Sequence, residues 1–413
     1  MKKRLFAAFM TASLVATALA GCSGGSTSSS TTDTKATDAE TTDTKTETTE
    51  TPSTDAASSD TIKIGTISPN TGSLAAYGEA VVNAMNLAVE EINAAGGVLG
   101  KQIVLDSLDD KGDSTEGANA FNKLADDASV SAVIGSVTSG VTTGLAPLAN
   151  EAGVVLLTPT ATADTVTEDD DFVFRACFKD SYQGKMAAKF AAETLGIKKV
   201  AVLYASGDAY SAGLREAFIA AAAEFGLEVV AEESSSSVDD TEYSSQLTNI
   251  ANSGAEFLFA PYYYSAVGPY IVPQARSAGF SGVIMGADGF DGTIGTMVDD
   301  KSLYNNCFFT NHYSPDDTSE KVQNFVKAYT DKFGAESLNA LGALAYDSVY
   351  MLKDSIEKAG STDRAAIRDA MSGMNFSGVT GEFTLDQSGT PEKSVAIIEF
   401  KDGEAIWNST LGN

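Results

Sequence analysis

The chain has 413 residues, with 27 lysine and arginine side chains against 56 aspartate and glutamate side chains, and a formal net charge of −29. So acidic a surface repels phosphate backbones and anionic headgroups, which excludes a nucleic-acid-binding protein and a peripheral membrane protein held by charge. Because the sequence contains one histidine and three cysteines, a metal site built from several histidines is also excluded, and we expect no metal or cofactor.

The first 21 residues are predicted to be a signal peptide rather than part of a fold. Residues 1–4 are basic, residues 5–20 are apolar but too short to span a membrane, and the segment ends in Leu19-Ala20-Gly21-Cys22. This ending resembles the lipobox of bacterial lipoproteins, in which the cysteine receives a diacylglycerol. The resemblance implies a mature chain that begins at Cys22 and is held at the outer face of the bacterial cell membrane by lipid alone. The alternative is an ordinary secretory signal with a chance cysteine.

Residues 22–60 are predicted to form a disordered tether. Between positions 23 and 60, 21 of the 38 residues are serine or threonine and eight are acidic. A segment of this composition buries too little apolar surface to offset the chain entropy lost on folding. As a flexible coil it has an end-to-end distance of roughly 30–40 Å, so it would let a folded body move above the membrane.

From residue 61 onward, strand-like and helix-like segments alternate, which is typical of α/β folds. In a first block the sequence predicts strands at 61–68, 102–108, 130–135 and 154–157, with helices at 75–95, 114–128 and 140–151. In a second block it predicts helices at 182–195, 211–225, 243–252 and 266–278, with strands at 200–204, 228–231, 257–260 and 283–285. Helices at 319–332 and 339–358 and a β-rich end that includes 394–400 follow. Two such blocks predict two parallel-sheet lobes.

Ligands of open α/β sheets bind beside the carboxyl ends of the strands, so the strand-to-helix turns are the candidate site. In the first block the turns at 136–140 and 158–163 carry hydroxyls and helix N-termini. In the second block the turns at 206–210, 261–264 and 286–289 carry tyrosines and a carboxylate. Backbone N–H groups and hydroxyls suit a ligand carboxylate, whereas an aspartate with tyrosines suits an ammonium group. The division predicts a zwitterionic ligand.

These stretches resemble the amino-acid-binding branch of the type I periplasmic binding proteins, of the leucine/isoleucine/valine kind, which feed ABC importers. The order and spacing of five segments carry the resemblance across 61–413: IG at 64–65 through Ser73, AYG at 76–78, EINAAGG at 91–97, QARSAG at 274–279 and AYDSVY at 345–350. The family implies an α/β fold of two Rossmann-like lobes joined by three crossover strands, near 175–179, 307–311 and 390–393. Lobe 1 would be 61–177 plus 309–391, and lobe 2 would be 178–308 plus 392–413.

The resemblance also implies ligand-binding roles for individual residues. Ser139 matches a serine whose hydroxyl and backbone N–H hold the ligand carboxylate, and Thr162 matches a threonine with the same task. Thr160 falls where a backbone carbonyl takes the ammonium group. Asp288 falls where family members carry an acid, often glutamate, that pairs with the ammonium, and Tyr210 matches a closing aromatic residue of the second lobe.

Three further positions in the pocket wall of that family are matched in this sequence. Tyr77 and Val137 belong to the first lobe. Either Tyr263 or Tyr264 matches a tyrosine of the second lobe, because a one-residue length change leaves the register open. Relatives with a first-lobe disulfide carry it at the positions of Gly112 and Thr138, so that bridge is absent here.

Each of these residues also has a purely structural explanation. Ser139 and Thr162 could be plain helix caps, Asp288 an ordinary turn residue, and the tyrosines a packed strand end. Their convergence on one predicted cleft favours ligand contact. His312, the sole histidine, is predicted to be a structural or hinge residue.

We therefore predict an extracytoplasmic solute-binding protein, monomeric, that captures a branched-chain or other aliphatic amino acid and delivers it to the permease subunits of an ABC importer. The alternative is a sensory module that presents an amino acid or amide to a membrane receptor, since its binding site would look the same. An enzyme is not expected, because no Walker loop, nucleophile elbow or His-Glu-x-x-His motif occurs.

Cys177 and Cys307 are the two thiols that remain if Cys22 is lipidated. Both sit on predicted crossovers, which run side by side in this architecture, and the chain is predicted to face an oxidising compartment. A disulfide between them is therefore a hypothesis, provided that their Cα atoms lie within about 7 Å. The alternative is a pair of buried, unpaired cysteines.

Overall fold

The computed structural model describes residues 61–168, 171–292, 294 and 297–412. The signal peptide, the lipidation site Cys22 and the tether, all predicted for residues 1–60, lie outside the described residues. In the part that the structure describes, no helix is both long enough and apolar enough to cross a membrane.

The first block of the chain forms a five-stranded parallel sheet. Its strands are β1 (Thr61–Ser68), β2 (Gln102–Asp109), β3 (Val130–Ile134), β4 (Val155–Thr158) and β5 (Val173–Arg175), in the order β2-β1-β3-β4-β5. Helices α1 (Ala75–Ala94), α2 (Ser114–Asp126) and α3 (Ser139–Ala152) connect the first four strands. The central strand β3 is buried at all five positions, as is usual for a parallel strand covered on both faces.

The second block repeats this alternation with strands β6 to β10. These strands are β6 (Lys199–Ala205), β7 (Glu228–Ser235), β8 (Phe257–Phe259), β9 (Val283–Gly286) and β10 (Cys307–Asn311), all in parallel pairs. The helices of this block are α4 (Asp180–Lys189), α5 (Ala209–Glu224), α6 (Ser244–Asn252), α7 (Tyr264–Ala266) and α8 (Val272–Ser277). A π-helical segment, Val267–Ile271, joins the last two.

After β10 the chain returns to the first sheet. There it forms helices α9 (Glu320–Phe333), α10 (Ala340–Ala359) and α11 (Arg364–Met371) and a hairpin of β11 (Asn375–Gly378) and β12 (Gly381–Thr384). Helix α10 packs along α1, where Tyr350 Oη donates to Glu91 Oε2 at 2.9 Å. The side chain of Asn339 caps α10 by accepting a hydrogen bond from Gly342 N, at 3.0 Å.

The last two strands complete the second sheet. They are β13 (Val395–Lys401) and β14 (Glu404–Leu411), and the full order is β14-β13-β10-β9-β8-β6-β7. Strand β13 runs antiparallel to both of its neighbours. The turn between β13 and β14 places Asp402 and Gly403 at φ values of 52° and 82°, the two positive angles that a tight type I′ hairpin requires.

Strand β10 requires a correction to the predicted lobe boundary. The sequence placed a crossover at 307–311 and assigned residues 309–311 to lobe 1. In the structure the whole of β10 belongs to the second sheet, where Phe309 pairs with Ile398 and Asn311 with Ala396. Strand β13 pairs with β10 from Cys307 to Asn311, so the crossover begins after Asn311.

The hypothesis of a disulfide between Cys177 and Cys307 is wrong for this structure, because both thiols are free and buried. Cys177 Sγ donates to the carbonyl oxygen of Ala161 at 3.3 Å, whereas Cys307 Sγ lies 3.7 Å from Arg276 Nη2. Cys307 begins β10, and the crossover that carries Cys177 lies beside the other end of that strand. The two cysteines are therefore separated by about the length of β10, which is roughly 13 Å for four residues of extended chain.

Candidate ligand-binding site

A small cavity lies where the carboxyl ends of the two sheets face each other. The empty space in and around it, including the part open to solvent, is about 280 Å³. Seven of the nine predicted pocket residues line it, together with three that were not predicted: the full lining is Tyr77, Val137, Thr138, Ser139, Thr160, Tyr210, Tyr263, Asp288, Gly289 and Leu341. The structure therefore brings together the turns of both sheets, as the strand-end argument requires.

Hydroxyl groups of the first lobe fix the turn that follows β3. Ser136 Oγ donates to the buried carboxylate of Asp110 at 2.5 Å, and Thr158 Oγ1 donates to the carbonyl oxygen of Ser136 at 2.7 Å. Thr160 Oγ1 donates to the carbonyl oxygen of Val137 at 2.7 Å. The Thr160 hydroxyl therefore holds the wall of the cavity, and what this residue can offer a ligand is its backbone.

Ser139 opens helix α3 at the edge of the cavity. Its side chain is buried, and its Oγ accepts a hydrogen bond from Ala163 N at 3.1 Å, so its proton can be donated elsewhere. The residue before it, Thr138, makes no side-chain cap, and the first N–H groups of an α-helix have no partner within the helix. A helix N-terminus and a hydroxyl at one point form a site suited to a carboxylate.

Thr162 lies behind the wall of the cavity. Its carbonyl oxygen accepts hydrogen bonds from Arg175 Nη1 at 2.8 Å and from Asp180 N at 2.9 Å. Among the described residues, the buried Thr162 hydroxyl has no hydrogen-bond partner of ordinary geometry. It does lie near the carboxyl group of Asp180. Burial raises the pKa of that carboxyl, and the nearby hydroxyl makes the rise smaller. The predicted contact of Thr162 with a ligand carboxylate therefore stays a prediction.

Two stacked tyrosines form the second-lobe wall. The rings of Tyr210 and Tyr263 lie 5.1 Å apart at 13°, and Tyr210 Oη accepts a hydrogen bond from Gly289 N at 2.8 Å. A Cβ atom on Gly289 would lie 2.7 Å from Tyr210 Oη and 2.9 Å from the carbonyl oxygen of Tyr262, so this position requires glycine. Burial raises the pKa of Tyr210 and Tyr263 well above their ordinary value, so both hydroxyls are protonated and neutral.

Direct contacts cross the cleft beside the cavity. Tyr77 Oη donates to the carbonyl oxygen of Gly289 at 2.5 Å. Tyr264 Oη donates to the carbonyl oxygen of Ser73 at 3.0 Å and accepts from Ala76 N at 3.3 Å, while its ring packs edge-on against Tyr77. The two lobes are therefore in contact, in a closed arrangement. Tyr263 lines the cavity, and Tyr264 joins the lobes.

Asp288 supplies a buried carboxylate on the second-lobe side. It is 4% exposed, and its Oδ1 accepts a hydrogen bond from Gln183 Nε2 at 2.9 Å. Its Oδ2 lies 3.2 Å from Nε2 of His312, which is its sole basic partner within 4 Å among the described residues. A buried carboxylate that faces a cavity without a lysine or arginine partner is suited to a positively charged ligand group.

Three lining residues escaped the sequence-based prediction. Thr138 and Gly289 adjoin predicted residues, and the span of the two turns could have indicated them. Leu341 lies in the first turn of α10, far along the chain from any strand end of the first block. No local signal in the sequence distinguishes it from an ordinary core leucine.

Comparison with known proteins places this fold and cavity in a family. A family model described as Periplasmic binding protein matches residues 61–405. The chain belongs to the periplasmic binding protein family. The type I periplasmic binding protein fold that the sequence predicted is thereby confirmed.

Curated and solved relatives of this periplasmic binding protein cover most of its length. It is 32% identical over 351 residues to Leu/Ile/Val-binding protein homolog 3 of Brucella melitensis. The matched region covers 83% of this chain and 92% of the Brucella protein. The leucine-binding protein LivK of Thermotoga maritima is 34% identical with a TM-score of 0.79. LivJ of Streptococcus pneumoniae, a branched-chain amino acid transporter substrate-binding protein solved with isoleucine, is 33% identical with a TM-score of 0.78. Each of these two structures covers 85% of this chain and 98% of its own.

Proposed function

We propose that this periplasmic binding protein captures an amino acid in the cavity between its lobes and delivers it to the permease of an ABC importer. The observation that carries the proposal is the charge arrangement of the cavity. Asp288 faces it from the second lobe, and the N-terminus of α3 with Ser139 faces it from the first. This arrangement is complementary to an ammonium group and a carboxylate on one small molecule.

The rest of the wall supports an aliphatic side chain on the ligand. Val137 and Leu341 are apolar, and Tyr77 and Tyr263 present ring surface to the cavity. Among the described residues that line the cavity, no further ionised group is offered to a ligand side chain. The relatives named for leucine, isoleucine and valine support the same class, so isoleucine, leucine and valine are the proposed ligands.

Individual roles follow from this placement. Ser139 and the α3 N-terminus bind the ligand carboxylate, with Thr162 supporting them from behind the wall. The Thr160 carbonyl oxygen and the Asp288 carboxylate take the ammonium group. Tyr210 covers the ligand from the second lobe.

Attachment to the membrane is part of the same proposal. Lipidation at Cys22 would keep a monomeric binding protein beside its permease at the extracytoplasmic face, and the acidic tether would let it reach that partner. With a cleavable secretory signal in place of residues 1–21, replacing Cys22 by serine should release the protein from the membrane fraction. A protein that stays in the membrane fraction after this change would contradict the lipid anchor.

A calorimetric titration with each of the twenty amino acids tests the binding proposal. The soluble Cys22→Ser protein should bind isoleucine, leucine or valine most tightly and should bind acidic and basic amino acids weakly or not at all. The same protein with Asp288→Asn is the matched control, because the change removes one charge and keeps the shape. Failure of every amino acid to bind would contradict the proposal.

Uptake measurements separate transport from sensing. Loss of the protein should lower cellular uptake of the radiolabelled ligand at micromolar concentrations. Unchanged uptake, together with loss of a transcriptional response to that amino acid, would instead support the sensory alternative.

A further inference from the structure

Two side chains from distant parts of the sequence hold the Asp288 carboxylate, and we call them the Asp288 brace: Gln183 on α4 and His312 directly after β10. Gln183 Oε1 accepts from Thr310 Oγ1 at 2.7 Å and from Asp288 N at 3.0 Å. Because the backbone N–H of Asp288 can only donate, the atom that it contacts must be Oε1, and Nε2 must be the atom that faces the Asp288 carboxylate. Gln183 therefore orients Oδ1 of the Asp288 carboxylate by hydrogen bonding, without adding a charge.

His312 contacts the other oxygen of the carboxylate, and its surroundings favour a neutral ring. Its side chain is fully buried and stacks on Phe178, with ring centres 3.8 Å apart. Nδ1 has no hydrogen-bond partner among the described residues. A protonated ring would bury an unpaired N–H donor there, whereas the neutral ring with its proton on Nε2 donates to Asp288 and leaves only a lone pair.

Charged groups of both signs surround this pair. Asp180 faces Asp288 from α4, and Cys177 and Lys393 approach from the first and third crossovers. The groove on the other side of His312 is lined by five more titratable side chains: Tyr313, Asp316, Asp317, Lys321 and Glu382. Burial lowers the pKa of His312, and Lys393 lowers it further, while Asp288 opposes both effects.

We propose that Gln183 and His312 are positioning residues that keep Asp288 a fixed, negatively charged acceptor, and that a proton on His312 competes with the ligand ammonium for this charge. The inference deepens the proposed function and rests on it. Asp288 and Gln183 lie on the second-sheet side, in the turn after β9 and on α4, and His312 is attached to the same side as the residue that directly follows β10. The competition therefore operates before the lobes close.

Protonation of His312 should weaken ligand binding in acid. A cationic imidazole 3.2 Å from Asp288 would neutralise the charge that the ammonium group needs. One competing proton raises the dissociation constant by at most tenfold per pH unit. By reciprocity of linkage, the bound ligand must also lower the pKa of His312.

The experiment compares the wild-type cavity with His312→Gln, whose amide can donate to Asp288 but cannot titrate. Dissociation constants for isoleucine are measured by calorimetry from pH 5 to 8 in the soluble Cys22→Ser background. The two constants should agree within about threefold at pH 7.5, and the ratio of wild type to variant should rise at least fivefold by pH 5. The other carboxylates are the same in both proteins, so their titration affects both dissociation constants alike and does not change the ratio. If both proteins bind isoleucine and the ratio does not change with pH, this inference is wrong while the proposed function stands.

Two further measurements secure the interpretation. Because His312 is the only histidine of the chain, an untagged protein gives one pair of imidazole ring signals by NMR, and isoleucine should lower the pKa that they report. An unchanged or raised pKa would contradict the inference without any variant. His312→Leu, which removes the donor, should weaken isoleucine binding at least tenfold at pH 7.5 while the protein still melts cooperatively, and undiminished affinity would also contradict it. If no amino acid binds the wild-type cavity, the proposed function and this inference fall together.

Discussion

At the scale of single residues, the two ends of the cavity differ in how far ligand binding depends on one side chain. In the proposed binding mode, the carboxylate end combines the Ser139 hydroxyl with backbone N–H groups at the start of α3, which survive any side-chain change. The proposed ammonium end relies on the single charge of Asp288. Removing the charge partner of a buried ion costs more than removing one of several neutral donors.

Asp288→Asn should therefore weaken isoleucine binding more than Ser139→Ala does. A buried ammonium without its countercharge costs roughly 3–5 kcal/mol, or a few hundred-fold and upward in the dissociation constant. Loss of the Ser139 hydroxyl costs about 1–2 kcal/mol, or about tenfold. Calorimetric titration of both variants, with a melting curve for each, measures the difference. If Ser139→Ala is the more damaging change while both variants stay folded, Asp288 does not bind the ammonium group.

A second carboxylate near the cavity affects stability rather than binding. Asp291 Oδ2 accepts hydrogen bonds from Asn311 Nδ2 and from Ala340 N, both at 2.8 Å, and so ties the end of β10 to the start of α10. Burial raises the pKa of Asp291 to about 6. The folded protein then holds a proton that the unfolded chain loses near its ordinary pKa of 3.8, so this group lowers stability as the pH rises from about 4 to 6.

Asp291→Asn should stabilise the protein at pH 7.5. The amide oxygen can accept both hydrogen bonds, and no charge is buried, so the free energy of unfolding should rise by about 1–2 kcal/mol, discounted for the partial exposure of the residue. The gain should vanish near pH 4, where the wild-type carboxyl is protonated. Urea unfolding at the two pH values measures it. A variant less stable than wild type at pH 7.5 would show that the ionised group is favourable.

The sequence predicted residues that directly follow strands and could not predict those that reach the site from elsewhere. The turns that hold Ser139, Asp288, Tyr210 and Tyr263 were predicted because the ends of parallel strands meet at one edge of a sheet, and the family resemblance indicated the individual residues. The contacts of Gln183 and His312 with Asp288 span 105 and 24 positions of the sequence, and no local pattern encodes them. Likewise, the choice between Tyr263 and Tyr264 depends on how the lobes meet.

At the scale of elements, helices α4 and α5 pack closely through a pair of glycines. A Cβ atom on Gly184 of α4 would lie 2.7 Å from Ala217 Cβ and 3.0 Å from Phe218 N. Phe218 N is a backbone atom of α5, so the clash is relieved only if the helix moves. A Cβ atom on Gly213 of α5 would meet only Asp180 Oδ2, at an ordinary 3.6 Å. The two glycines occupy the same interface but differ in the space around them.

Gly184→Ala should destabilise the protein, and Gly213→Ala should not. The first change forces the helices apart and costs about 1–3 kcal/mol, which outweighs the gain in helix propensity. The second gains up to about 1 kcal/mol from the better helix former. Thermal melts of the two variants beside wild type measure both signs. Equal effects of the two changes would refute the packing explanation.

Long, patterned elements were predictable from the sequence, and short or irregular ones were not. Strand β1 has the predicted bounds, and α1 ends one residue earlier than predicted. Strand β5 has three residues, and helix α11 has eight, too few to give a clear periodic signal. The helix predicted at 266–278 begins at Tyr264 and widens into a π-helical segment around Pro269, because proline removes a backbone donor.

At the scale of the whole molecule, tyrosine hydroxyls join the two lobes across the cleft. Tyr264 Oη bonds to Ser73 and Ala76, and Tyr77 Oη bonds to Gly289. Contacts made only when the lobes meet favour the closed form, and a ligand that touches both lobes shifts the equilibrium further in that direction. We therefore expect affinity to depend on contacts between the lobes as well as on contacts with the ligand.

Tyr264→Phe tests this dependence. The variant keeps the ring that packs on Tyr77 and loses the hydroxyl that joins the lobes, so isoleucine should bind about three- to tenfold more weakly. The stability of each lobe should change little. Calorimetry and a melting curve together distinguish the two effects. An affinity equal to that of wild type would show that this contact does not contribute to closure.

Small-angle X-ray scattering with and without isoleucine tests the central claim, that an amino acid is captured by closure of two lobes. The radius of gyration of the soluble wild-type protein should fall when isoleucine saturates it. At the same isoleucine concentration Asp288→Asn should keep the larger, ligand-free value. A radius of gyration that stays constant while calorimetry shows saturated wild-type protein would contradict capture by closure.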